Sequence, residues 1–140
     1  MAVGSRTDGK PWRIGIRDPR AQSDSAYYAV LSLCDEAVVT SGDYERYFVE
    51  DGVRYHHIFD TKTGRPAQSG VISATVVAKD STMADALSTA VFVLGADKGL
   101  ALIASMEDTE ALIVTGDKKV FTTPGIRERV EMVSSEYTLQ

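Results

Sequence analysis

Thr82-Met83-Ala84-Asp85-Ala86-Leu87-Ser88-Thr89-Ala90 opens a helix and does most to restrict what this chain can fold into. Leu87, Ala90, Val91 and Leu94 recur at the spacing of a core-facing stripe, so the helix needs an apolar surface to lie on. Asp85 and Thr89 are one turn apart and share a face turned away from that stripe. A helix packed through one side and offering a carboxylate and a hydroxyl from the other suits Mg²⁺, which prefers hard oxygen ligands. A second reading is purely local. With Thr82 as N-cap, Asp85 falls at N3, where an acid favours the helix dipole. Spacing alone leaves both open.

The surface for that helix is written on either side of it. Val71 to Ala78 is apolar enough for a central strand. Trp12, Ile14 and Ile16 alternate with Arg13, Gly15 and Arg17, a half-buried strand stopped by Asp18-Pro19. After the polar loop Arg20 to Ser25 come Tyr28 to Cys34 and Glu36 to Thr40, both rich in β-formers. Tyr44 to Val49 and Val53 to Phe59 flank the turn Glu50-Asp51-Gly52, and Asp60 to Pro66 is a loop. The helix from Thr82 stops at Gly95, and a second runs from about Asp97 to Ser105. Ala111 to Thr115 and Lys119 to Thr122 bracket Gly116-Asp117-Lys118 as a terminal hairpin, followed by a mixed tail from Ile126 to Gln140. The expectation is one α/β (α+β) domain over residues 1–140, a mainly antiparallel or mixed sheet carrying two consecutive helices.

With 140 residues, 44% of them hydrophobic, the chain can bury a core of its own. A net charge of −5 argues against a duplex nucleic-acid surface, which wants clustered Lys and Arg. No apolar run approaches the roughly 20 residues of a membrane span, and no signal peptide is written in these residues. Cys34 is the single cysteine and is expected to behave as a small buried hydrophobe.

Both histidines lie in Arg54-Tyr55-His56-His57-Ile58-Phe59-Asp60. Strand alternation puts Tyr55, His57 and Phe59 on one face, a possible wall for a planar ligand, and Arg54, His56 and Ile58 on the other. Neighbouring histidines point apart and do not share a metal. Taken alone, the segment fits an ordinary packed strand with one solvated histidine better. Thr40-Ser41-Gly42-Asp43-Tyr44 is a small-residue turn that lets backbone N–H groups approach a phosphate or ribose.

Taken together, Ser41-Gly42-x-Tyr44, Asp51-Gly52-x-Arg54-Tyr55-x-His57-Ile58-x-Asp60-x-x-Thr63-Gly64-x-Pro66 and Ala84-Asp85-Ala86-Leu87-Ser88-Thr89-Ala90 resemble the flavin transferase (ApbE) family over about Trp12 to Thr115. The resemblance implies an FAD:protein FMN transferase: FAD is cleaved at its pyrophosphate with Mg²⁺, FMN passes to a Thr or Ser hydroxyl of a target protein, and AMP leaves. Asp85 and Thr89 match the family's metal-binding positions. His57, Ile58 and Phe59 match the segment against FAD, Ser41 and Gly42 a turn near it, and His57 is the expected catalytic histidine. Where the family has Asp-Pro after the His-Ile pair, Thr61 follows Asp60, which loosens the expected turn.

Family members are about twice this length. The resemblance therefore implies a carboxy-terminal half, with Ala2-Val3-Gly4 in mid-element and the amino-terminal ligands elsewhere. It also implies an exposed edge at Trp12, Ile14 and Ile16, through which a homodimer is expected, and a bacterial cell-envelope or periplasmic setting. The other classes that fit are a non-catalytic flavin-nucleotide or Mg²⁺ binding module and a scaffold half of a split protein.

Overall fold

In the computed structural model, which describes residues 4–140, the buried strand Val71–Ala78 lies between two neighbours and has apolar groups packed on both faces. The expectation for Ala2-Val3-Gly4 falls mostly outside the described residues. The strands are β1 (Trp12–Arg17), β2 (Tyr27–Leu33), β3 (Ala37–Gly42), β4 (Tyr47–Glu50), β5 (Val53–His56), β6 (Phe59–Asp60), β7 (Arg65–Pro66) and β8 (Val71–Ala78). Helices α1 (Ser81–Leu94) and α2 (Ala96–Ala104) follow, then β9 (Thr109–Thr115), β10 (Lys119–Thr122), a 3₁₀ turn at Pro124–Arg129, β11 (Val130–Met132) and β12 (Thr138–Leu139).

A five-stranded sheet runs β12-β10-β9-β8-β3, antiparallel except for the parallel β10–β12 pair. A three-stranded antiparallel sheet runs β1-β2-β11. Ile16, Tyr28, Leu31 and Leu33 of the small sheet pack with Ile72, Val77, Leu112 and Val114 of the large one. On the opposite face of the large sheet, Ala74, Val76 and Ile113 pack under Ala84, Leu87, Val91, Phe92 and Ile103 of the helices. This is the mixed α+β architecture expected from the sequence, with two consecutive helices on a largely antiparallel sheet.

Four expectations change. The mixed tail carries strands and β9–β10 is not terminal: β11 extends β2, and β12 pairs with β10, so the last residues bind both sheets. Asp80, not Thr82, caps α1, its carboxylate accepting from the Met83 N–H at 2.8 Å. The helix therefore starts at Ser81, which leaves Asp85 beyond the first turn. The buried stripe is Ala84, Leu87, Ser88, Val91 and Phe92, while Leu94, at the helix end before Gly95 turns the chain at φ 86°, is exposed. Cys34 is exposed, because β2 ends at Leu33 and Asp35 turns the chain at φ 54°.

The turn between β4 and β5 has positive φ at both Asp51 (49°) and Gly52 (78°), the geometry that suits a two-residue hairpin. The loop from Asp60 is closed by that residue. Its carboxylate accepts from the Lys62 N–H at 2.9 Å, and the Gly64 N–H donates to the Asp60 carbonyl at 2.8 Å. Among the described residues no helix is long and apolar enough to cross a membrane.

Candidate functional site

Two groups of sequence-predicted residues occupy different supports. The first is the contact between β3 and α1. Ser41, the penultimate residue of β3, pairs with Ala74 of β8, which holds it at the sheet edge under the helix. Its Oγ lies 2.8 Å from Ser88 Oγ and 3.1 Å from Thr89 Oγ1. Ser88 Oγ donates to the Asp85 carbonyl at 2.9 Å. Asp85 and Thr89 are exposed on one face, as the i, i+4 spacing requires. The Asp85 carboxylate meets no hydrogen-bond donor and no cation among the described residues, and with Asp80 as cap it has no helix-starting role. An unpaired carboxylate beside a neutral hydroxyl is a donor set that fits Mg²⁺. No three His, Cys, Asp or Glu side chains cluster as a metal site among the described residues, so a cation here also draws on oxygens from its ligand or from elsewhere.

Gly42 follows Ser41, and its place allows no side chain. A Cβ there would lie 2.2 Å from the Tyr44 ring. Asp43 is next, buried, and held by both guanidinium nitrogens of Arg20 at 2.7 Å. That hydrogen-bonded pairing raises the Arg20 pKa above its ordinary value. Tyr44 sits under Arg17, and burial raises its phenol pKa. Arg54 lies 3.8 Å over the Tyr47 ring. The residues that follow Gly42 therefore form an ion-paired corner. The signal for that lay in the Asp following Gly42 and in the Arg-rich flanks.

The second group rides on the β4–β5 hairpin and the segment after it. The two histidines part company as alternation predicts. His56 is buried: its Nε2 donates to the Ala67 carbonyl at 3.1 Å, its Nδ1 accepts from the Ile58 N–H at 3.3 Å, and its ring meets the Phe92 ring edge-on. Both of its nitrogens are committed. His57 is exposed. Its Nδ1 lies 3.3 Å from the Arg46 carbonyl, which can only accept, so the proton sits on Nδ1 and the Nε2 lone pair faces outward. Phe59 is 53% exposed, and Phe48 stacks on Tyr55 at 5.1 Å. These rings, with Arg46, Tyr47 and His57, line a recess of about 340 Å³. Ile58 is buried in the helix-side core, and its main chain is hydrogen-bonded to His56 Nδ1 and to the Ala67 N–H.

Ser41, Asp85 and Thr89 are thus brought together, and His57 with Phe59. No hydrogen bond, ion pair or ring contact joins the two groups among the described residues. Sequence reasoning missed Ser88, fully buried and central to the hydroxyl cluster.

A family model described as the ApbE family matches residues 1–113. An FAD:protein FMN transferase of Treponema pallidum (strain Nichols) is 46% identical over 129 residues, covering 92% of this chain and 35% of the relative. One from Klebsiella pneumoniae (strain 342) is 38% identical over 126 residues, covering 90% and 40%. Among solved structures, the ApbE protein of Thermotoga maritima matches with a TM-score of 0.77 at 44% identity, covering 90% of this chain and 40% of that one. The flavin transferase ApbE of Vibrio cholerae gives 0.72 at 34% identity, with the same coverage. This chain therefore spans about two fifths or less of the length of these relatives.

Proposed function

The chain belongs to the ApbE family, and we propose on that footing that it is the metal-bearing portion of an FAD:protein FMN transferase. The observation that carries the reading is the α1 face: an unpaired Asp85 carboxylate one turn from a Thr89 hydroxyl that Ser41 holds in place. Asp85 is the ionised ligand and Thr89 the neutral one. Mg²⁺ bound there supplies charge neutralisation for a pyrophosphate and for the AMP leaving group. The target Thr or Ser oxygen attacks the FMN phosphorus, the bond to AMP breaks, and the hydroxyl proton goes to a base. His57 is that base or a positioning group; its outward Nε2 is the atom able to accept the proton. Phe59 and the stacked Phe48–Tyr55 pair offer apolar area to the flavin, and Ser41-Gly42 sits at the metal end of the same ligand.

The test measures AMP release from FAD with Mg²⁺ and a Thr-bearing acceptor, using this chain with and without the remaining portion of the Thermotoga relative. Asp85→Ala abolishes Mg²⁺-dependent release and leaves the fold intact. Lost structure in Asp85→Ala, with release per folded molecule unchanged, refutes the metal role.

A second reading is favoured by the 35–40% coverage of the relatives. Here the chain binds Mg²⁺ and flavin nucleotide without transferring FMN alone. FAD binding with no acceptor flavinylation until the other portion is added is its signature. Self-association belongs to the same proposal. Among the described residues β1 is the end strand of the small sheet, and its Ile14 to Arg17 stretch offers an edge along which a second copy could add a strand. Light scattering that gives a monomer mass at high concentration refutes the dimer.

A further inference from the structure

The hydroxyl cluster between β3 and α1 has a direction, and the direction bears on the metal; the inference rests on the reading of Asp85 and Thr89 as Mg²⁺ ligands. Each hydroxyl has one proton to give. Ser88 Oγ lies 2.9 Å from the main-chain carbonyl of Asp85, which only accepts, so the Ser88 proton is committed there. In the 2.8 Å contact between Ser41 and Ser88, Ser41 must then be the donor. With the Ser41 proton committed in turn, Thr89 is the donor in its 3.1 Å contact with Ser41. The other acceptor in reach of Thr89, the Asp85 carbonyl at 3.5 Å, is the longer choice. Ser88 is fully buried, so water does not replace any link at that end of the chain.

We propose that Ser41, with Ser88 behind it, is a positioning residue for the metal ligand Thr89. The chain Thr89 to Ser41 to Ser88 to the Asp85 carbonyl draws the Thr89 proton inward, onto the sheet edge. Both Thr89 lone pairs are left for a cation, and the hydroxyl does not rotate its proton toward positive charge. The chain ends on the main chain of Asp85, so the turn of helix that carries one ligand is tied to the side chain of the other. Partners that orient a metal ligand typically change metal affinity 10–100-fold, and nothing else in the hydroxyl network can take the Thr89 proton at so short a distance.

The experiment titrates Mn²⁺ into the full chain in the presence of FAD, reads bound ion by electron paramagnetic resonance, and follows thermal unfolding of each variant in EDTA. Ser41→Ala is expected to weaken Mn²⁺ binding about tenfold or more. In a Thr89→Val background the same change weakens it no further, because Ser41 acts through Thr89. Ser41→Thr, which keeps a hydroxyl, retains most of the affinity. Ser88→Ala leaves Ser41 free to donate to Thr89 and occupy a lone pair, so it also weakens binding and serves where Ser41→Ala does not fold. Unchanged Mn²⁺ affinity in Ser41→Ala and Ser88→Ala, with Asp85→Ala abolishing binding, overturns the positioning role and leaves the metal site standing. Equal weakening by Ser41→Ala with and without Thr89 also overturns it, since the residue then acts on the fold alone. Mn²⁺ binding that is absent from the parent chain, or unaffected by Asp85→Ala, overturns the metal reading and the positioning role with it.

Discussion

The α1 face and the β4–β5 hairpin carry the two halves of the proposed site, and they are built in opposite ways. α1 lies on a five-stranded sheet, buries Ala84, Leu87, Val91 and Phe92, and has its polar face tied to β3 by Ser41. The hairpin is a two-stranded ribbon with Phe48 60%, Val49 58% and Val53 44% exposed. Its β5 strand is anchored through the buried His56, while β4 has little to hold it beyond cross-strand contacts. The oxygens proposed for the ion are thus set in place before any ligand arrives, while the rings proposed for the flavin wait with apolar area uncovered. An ion that demands near-ideal octahedral geometry gains from the first arrangement, and a broad planar ring tolerates the second.

If that contrast holds, core and ribbon respond very differently to the same change. Phe92→Ala removes a fully buried ring against His56 and is expected to cost about 3–5 kcal/mol. Phe48→Ala loses a stacked but exposed ring and should cost less than about 1 kcal/mol. Urea unfolding of the two variants measures the gap. Similar losses would mean that the hairpin is as firmly built as the helix.

The contrast is sharpened by His57→Asn. It touches the hairpin group and none of the helix oxygens, so Mn²⁺ affinity at saturating FAD stays at the parent value. As a base, His57 is worth about 100-fold or more in the transfer rate. A loss under about tenfold assigns positioning instead.

How far these two regions were legible differs as well. The large sheet and both helices could be read because Val71 to Ala78 is continuously apolar and α1 has helical spacing, which are local patterns. Strand alternation alone separates His56 from His57. The cap could not be read, because Asp80, Ser81 and Thr82 are all capping residues and only the Met83 N–H contact chooses among them. Nor could the small sheet be closed from sequence: Val130–Met132 is three residues long with an acid in the middle. The link between Ser41 and Thr89 spans 48 positions, beyond any local rule.

The smallest effect is a control far from both groups. Asp117 accepts from Lys119 and Thr115, which together hold its pKa down to about 2 from 3.8. An acid lowered on folding stabilises above its unfolded pKa and loses that contribution as pH falls toward its folded one. Asp117→Asn should therefore lower the unfolding midpoint slightly near neutral pH and converge with the parent toward pH 2. Because the group is exposed, the difference stays small. A constant difference from neutral pH down to pH 2 would rule out the pairing.

The most direct measurement is a crystal of the chain grown with Mn²⁺ and FAD, with anomalous scattering used to place the ion. One strong peak is expected, bonded to an Asp85 carboxylate oxygen and to Thr89 Oγ1, each at roughly 2.1 Å, with a phosphate oxygen of FAD on the same ion. A peak on other residues, or an FAD pyrophosphate bound with no ion between it and Asp85, would contradict the metal role of Asp85.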